Sequence, residues 1–175
     1  KSLQFGESLY VGLAGEQFGN LDYHSQWKPI KQATIAYGYG VSTTLIHLCS
    51  AYSILANHGK SIQLTYLKIQ DDSEIFKDDI FDATLSKEIL SMMTQVITNG
   101  TGKKASLKKY TVAGKTGTVR NLTKKGYETN KHNTLFVGIV PASNPQYVAA
   151  IIVRKPDPSK GKVSGGANAA PIFRE

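Results

Sequence analysis

Residues 110–120 read YTVAGKTGTVR, and the reading of that stretch decides the fold. β-Branched residues alternate with polar ones from Tyr110 to Val119, which predicts a strand. Glycine weakens a strand interior, and it often marks a place where a ligand or another backbone comes close. Side chains on a strand alternate faces, so Thr116 and Thr118 share one face while Lys115 and Gly117 share the other. Two hydroxyls in a row beside a lysine form a seat for a ligand carboxylate. An exposed edge also offers N–H and C=O groups to an extended peptide, and Gly117 leaves room for that approach. The bland alternative is a solvent-facing strand with ordinary threonines and a lysine reaching for water. A bare Lys-Thr-Gly is too short to decide between the two.

Two further strand candidates follow, TLFVGIVPA (134–142) and YVAAIIVRK (147–155). A polar loop over 120–133 is expected before them, and a tight turn at Ser143-Asn144-Pro145 between them. Such short connections imply antiparallel neighbours. Both strands are apolar at nearly every position, which implies burial on both faces. Upstream, apolar residues at 45, 48, 49, 52 and 55 have helical spacing, with Ser42, Thr43 or Thr44 as the cap. A second helix is predicted over 85–98, stopped by Asn99-Gly100-Thr101-Gly102. SIQLTYLKI (61–69) reads as an exposed strand or arm, QDDSEIFKDD (70–79) as an acidic turn-like connector, and residues 1–33 as turns and loops. The expected fold class is α+β: an antiparallel sheet sandwiched between helices, with a last helix starting near Ala170.

With 175 residues the chain holds one domain with a real core. Apolar residues make up 41%, ordinary for a globular protein, and no apolar run approaches the ~18–20 residues that span a bilayer. The chain opens at Lys1 and stops as a helix begins, so it reads as a piece of something longer whose targeting signals are not visible. Cys49 has no partner for an internal disulfide and is expected as a small buried residue of the first helix. His24, His47, His58 and His132 lack metal-site spacing, so neither metal nor cofactor is expected. The net charge is +8, and 18 of the 21 basic residues are lysines. They lie in segments with little aromatic interleaving, such as KKASLKK (103–109). A nucleic-acid groove more often combines arginines with stacking rings, so no nucleic-acid partner is expected.

Lys-Thr-Gly is also the third signature of serine penicillin-recognising enzymes, beside Ser-x-x-Lys and Ser-x-Asn. Around it the chain resembles the C-terminal half of the transpeptidase domain of class B penicillin-binding proteins, most nearly the septal, division-specific type. The matching stretches are ATIAYGYGVSTTLIHLCSAYSILANHG (33–59), GKTGTVRN (114–121), FVGIVPASNPQYVAAIIVRKPDP (136–158) and GGANAAPIF (165–173). The resemblance implies one portion of a β-lactamase/transpeptidase-like domain over 1–175. Residues 1–109 are expected to be mainly helix and loop, and 110–175 to carry the three strands and the start of the C-terminal helix.

The resemblance further implies cross-linking of peptidoglycan stem peptides ending in D-Ala-D-Ala, by serine acyl transfer, with β-lactams as acylating mimics. By position, Lys115 would hold the proton-shuttling serine of Ser-x-Asn, and the hydroxyls of Thr116 and Thr118 would bind the ligand carboxylate. The Thr118 N–H would supply an oxyanion donor, where loss of one donor costs ~3–4 kcal/mol in other acyl-transfer enzymes. Gly117 would give clearance, and Arg120 would stand near the anionic end. Tyr37 and Tyr39 would wall the site, and Gly165 and Gly166 would border it. Implied partners are the missing N-terminal part of the same domain and divisome proteins, in the periplasm of a cell with an inner membrane. Two departures stand out. Ser-x-Asn is absent, and the three Ser-x-x-Lys matches, SQWK (25–28), SLKK (106–109) and SKGK (159–162), fall where the family has no nucleophile. Val163-Ser164 stands where many septal relatives carry an aromatic pair. The rival readings are a class D β-lactamase, a D,D-carboxypeptidase and a non-catalytic β-lactam sensor.

Overall fold

A threonine and an aspartate begin the two helices that the periodicity predicts. In the computed structural model, which describes every residue except 1, 23, 24, 26, 71–75, 124 and 125, the Thr44 hydroxyl accepts from the His47 N–H. It thereby caps α2 (Leu45–Ala56), which follows the short α1 (Pro29–Ala36). Asp82 accepts from the Thr84 N–H at 2.7 Å and caps α3 (Ala83–Thr98), after the small pair β1 (Lys60–Ile62) and β2 (Phe76–Asp79). Each cap satisfies an amide that has no partner inside its helix.

The last third forms the predicted three-stranded antiparallel sheet, in the order β3 (Ala113–Thr123), β4 (Gly126–Val140), β5 (Tyr147–Arg154). The register sets Gly117 opposite Leu135 and Phe136 opposite Ile151. Central β4 is buried on both faces: Phe136, Val137 and Ile139 are each at most 1% exposed. On one face Phe136 joins Val112, Ile97, Ala169 and Ala170, with Phe173 of α5 (Ala170–Arg174) meeting it edge-on at 5.0 Å between centroids. On the other, Ile139 and Ala113 pack with Leu90 and Met93 of α3 and with Tyr52 and Leu55 of α2. α3 contributes to both clusters, through Ile97 on one face and Leu90 and Met93 on the other, and helices cover both faces as the sequence predicts. Each large side chain buried here stabilises the fold by about 2–3 kcal/mol of transfer free energy.

Several expectations need correction. The segment 120–133 is not a loop: apart from residues 124 and 125, outside the described set, it continues β3 and β4 as a hairpin. Its polar character fits, because this part of the ladder extends past the core. There the Glu128 carboxylate takes hydrogen bonds from Asn121 and from Lys131 at 3.1 Å, and an ion pair from Lys155 at 3.3 Å. Residues 1–33 are not all turns and loops, because α1 begins at Pro29. Lys28 before it is extended, as a pre-proline residue must be. That helix buries no residue, so no apolar stripe announced it. The arm 61–69 is a strand only to Ile62, and the connector's described end, 76–79, is its partner strand. β5 lies at an edge and is only partly buried, with Tyr147 72% exposed. Cys49 is half-buried: it lines a cleft of about 340 Å³ with Ile46, Ser53, Leu64, Tyr66 and Val148, and burial raises its thiol pKa. His24 lies outside the described residues.

Candidate ligand-binding edge

Among the described residues β3 has a single strand neighbour, so one of its long edges carries no β partner there. Two contacts show which backbone groups face that edge. The exposed Lys115 ammonium donates to the Thr116 carbonyl at 3.1 Å. A Cβ on Gly165 would stand beside the Leu135 carbonyl and within 2.9 Å of both the N and O of Gly117. Gly117 therefore turns its amide groups toward β4, and Thr116 turns its carbonyl outward. Residues two apart on a strand point their N–H and C=O the same way, so the Thr118 N–H also faces the open edge.

The two hydroxyls lie on the face covered by α4 (Gly165–Asn168), and each has a partner. Thr118 Oγ1 accepts from the Gly165 N–H at 3.1 Å. Thr116 Oγ1 is 2.7 Å from Thr101 Oγ1. An accepting hydroxyl still has its hydrogen to donate, so Thr118 remains a donor to a ligand. Arg120, exposed and opposite His132 in the register, lies on the same row, just before an irregularity in the ladder. From Thr116 to Arg120 this row spans about 13 Å at the ordinary rise, and no acidic residue lies between 113 and 123.

The glycines have structural reasons of their own. The space Gly117 leaves is taken by Leu135, whose Cδ2 is 2.7 Å from where a Cβ would sit. That fills from within the room that the sequence reserved for a ligand. Gly165 lets α4 lie on the β3–β4 ladder, and Gly166 accommodates the Thr101 carbonyl. Ser164 caps α4: its hydroxyl accepts from Ala167 N–H, and its own N–H donates to Asn168 Oδ1 at 3.0 Å. Beyond Arg120, the hydrogen bond from Asn121 and the ammonium groups of Lys131 and Lys155 hold the Glu128 carboxyl down to about 2.

Thus the structure brings together Lys115, Thr116, Gly117, Thr118, Arg120, Gly165 and Gly166. Tyr37 and Tyr39 stand at the end of α1, rings 5.7 Å apart, with Tyr37 66% exposed. Ser159 of SKGK sits in a three-residue turn, Ser106 of SLKK follows another, and SQWK precedes α1 with Gln26 outside the described residues. None of these serines begins an α-helix of four residues or more. Sequence reasoning missed Thr101 and read it only as part of a helix stop. Its one signal was a hydroxyl residue among glycines just after a core helix. Among the described residues, no group of three or more His, Cys, Asp or Glu is placed to hold a metal.

A sheet with helices on both faces and Lys-Thr-Gly-Thr along an open edge defines the class of serine penicillin-recognising proteins. The chain belongs to the penicillin binding protein transpeptidase domain family, whose model matches residues 1–175, and it is a portion of a class B member. It is 31% identical over 169 residues to the peptidoglycan D,D-transpeptidase FtsI of Escherichia coli, covering 96% of this chain and 28% of that protein. It is 36% identical over 170 residues to the protein of the same name from Buchnera aphidicola, covering 96% of this chain and 29% of that one. The apo transpeptidase domain of penicillin-binding protein 3 from Burkholderia pseudomallei superposes with a TM-score of 0.89 at 32% identity, covering 99% of this chain and 52% of that one. Penicillin-binding protein 3 from Mycobacterium tuberculosis, solved with aztreonam, gives 0.87 at 27%, covering 99% and 42%. The chain thus spans under a third of the length of these two curated relatives and about half of the first solved domain.

Proposed function

We propose that the chain is the C-terminal portion of a peptidoglycan D,D-transpeptidase that cross-links stem peptides during septal wall synthesis and is acylated by β-lactams. Residues 1–109 supply mainly helical and loop support, and 110–175 supply the Lys-Thr-Gly wall. The nucleophilic serine and the Ser-x-Asn serine are carried by sequence outside these 175 residues. Lys115 orients the second serine and places positive charge near the reacting acyl group. The hydroxyls of Thr116 and Thr118, with Arg120 behind them, take the terminal carboxylate of the D-Ala-D-Ala peptide. The outward Thr118 N–H polarises the carbonyl under attack, and Tyr37 and Tyr39 wall the ligand. The serine oxygen bonds to the penultimate D-alanine carbonyl and the terminal D-alanine leaves with a proton. The amine of a neighbouring stem peptide then displaces the serine.

The observation that carries this reading is the edge itself: an outward amide at Thr118 beside two hydroxyls held on one row. The septal role, divisome partners and a periplasmic location at the inner membrane are part of the proposal and rest on the resemblance of the matching stretches to the septal type; the relatives' names support the D,D-transpeptidase activity. A fluorescent penicillin is expected to label the full-length protein covalently and to leave residues 1–175 alone unlabelled. Labelling of the isolated chain would place the nucleophile on one of its three Ser-x-x-Lys serines instead. Rapid release of hydrolysed penicillin from the full-length adduct would identify a β-lactamase.

A further inference from the structure

Thr101 belongs to no signature of the family reading, yet the fold places its hydroxyl against the candidate carboxylate seat. It follows α3 in a loop folded tightly back on the helix: the N–H groups of Asn99 and Gly100 donate to the Gln95 carbonyl, and Gly102 N–H donates to that of Val96 at 2.9 Å. The rest of Thr101 is pinned on the far side, where its carbonyl occupies the space that Gly166 leaves open. Between these constraints its hydroxyl stands 2.7 Å from Thr116 Oγ1, while both it and Thr116 keep some access to solvent.

In a bond between two hydroxyls, one donates and the other keeps its hydrogen free. If Thr116 gives its hydrogen to a ligand carboxylate, only its oxygen is left for Thr101, which must then be the donor. The hydrogen-bonded chain runs Thr101 O–H to Thr116 O–H to carboxylate, and each link polarises the next. Thr116 alone would be a free rotor; with Thr101 donating, its hydrogen is turned away from α3 and toward the edge. We infer that Thr101 is a positioning residue for carboxylate recognition, acting through Thr116 without touching the ligand. This rests on the transpeptidase reading and adds to it the residue that sets the donor direction of one seat hydroxyl.

The test uses the full-length protein and two probes, benzylpenicillin and its methyl ester, which lacks the charged carboxylate. Thr101→Val removes the hydroxyl and keeps the shape. It is expected to slow acylation by the acid ~3- to 10-fold, the effect of about one hydrogen bond, while acylation by the ester changes less than twofold. Thr101→Ser should restore the preference for the acid. If Thr101→Val lowers the melting temperature, Thr101→Ala, which loses the hydroxyl without presenting a second methyl, carries the same comparison. An unchanged acid-over-ester ratio in the hydroxyl-free variants, or an equal loss with both probes, overturns the positioning role. Failure of the wild type to react with either probe overturns the transpeptidase reading itself, which separates the two outcomes.

Discussion

The N–H of Gly165 donates to the hydroxyl of Thr118 at 3.1 Å, a contact between residues 47 positions apart. It ties the first turn of α4 to the row of hydroxyls on β3, and it exists only because residue 165 has no side chain. A Cβ there would press on backbone atoms of Leu135 and Gly117, which have nowhere to retreat inside a ladder.

Gly165→Ala should therefore lift α4 from the sheet and cost about 2–3 kcal/mol of stability. Penicillin acylation of the full-length protein should fall with it, because Thr118 loses the bond that orients it. Thermal melts and gel labelling of the same preparation check both effects, and a variant matching wild type in both would refute the contact's importance.

Gly117→Ala meets a softer obstacle, the end of the Leu135 side chain. The single substitution should cost about 1–2 kcal/mol, and adding Leu135→Ala should cost less than the sum of the separate changes. A double-mutant cycle by denaturant unfolding measures the coupling; strict additivity would mean that the strand, rather than the side chain, yields.

Lys115→Ala should abolish acylation while moving the melting temperature by only a few degrees, since its ammonium is exposed and its hydrogen bond goes to the carbonyl of the neighbouring Thr116. Near-normal labelling would exclude the role proposed for it.

Glu128 gives the hairpin a signature in acid. Its carboxyl is held at about 2, below the usual 4.5, chiefly by Asn121 and then by Lys131 and Lys155. A lowered value means that the ionised form favours the folded hairpin. The contribution is complete above pH 4.5 and is lost as pH falls toward 2. Glu128→Gln should be less stable than wild type at neutral pH and should show a flatter decline over that interval. Melting temperature against pH is the readout, and parallel curves would show that the carboxylate contributes nothing.

Phe136→Ala should cost about 3–5 kcal/mol, the largest of these changes in stability, because its ring is fully buried between Gly114 and Gly138 and against Phe173. Chemical denaturation gives the value; a loss below 1 kcal/mol would mean that the cavity collapses.

Legibility in the sequence followed the range of the interactions. Strand alternation is a property of neighbours, so Thr116 and Thr118 on one face, with Lys115 on the other, could be read directly. The start of the first long helix was readable for the same reason, since Thr44 acts within three residues; the apolar periodicity starts the second only at 85, beyond its cap Asp82, which went unread. Contacts made by folding over distance were not: Thr101 meets Thr116 fifteen residues away, and Gly165 meets Thr118 across two strands and a turn. The stretch 120–133 looked like a loop because apolar alternation reports burial, and Arg120, Asn121, Gly126, Glu128, Lys131, His132 and Asn133 all lie outside the buried core. The helix Pro29–Ala36 escaped notice for a related reason, having no buried stripe to show.

An edge left open for a peptide is equally open to a second copy of itself. Two such rims brought side by side would carry four cations, Lys115 and Arg120 from each, and no anion over residues 113–120. Like charges facing across paired strands are repulsive, so the groups suited to welcoming a carboxylate also discourage self-association. Concentrated salt screens that repulsion, which makes ionic strength the solution variable that governs whether this rim stays solitary.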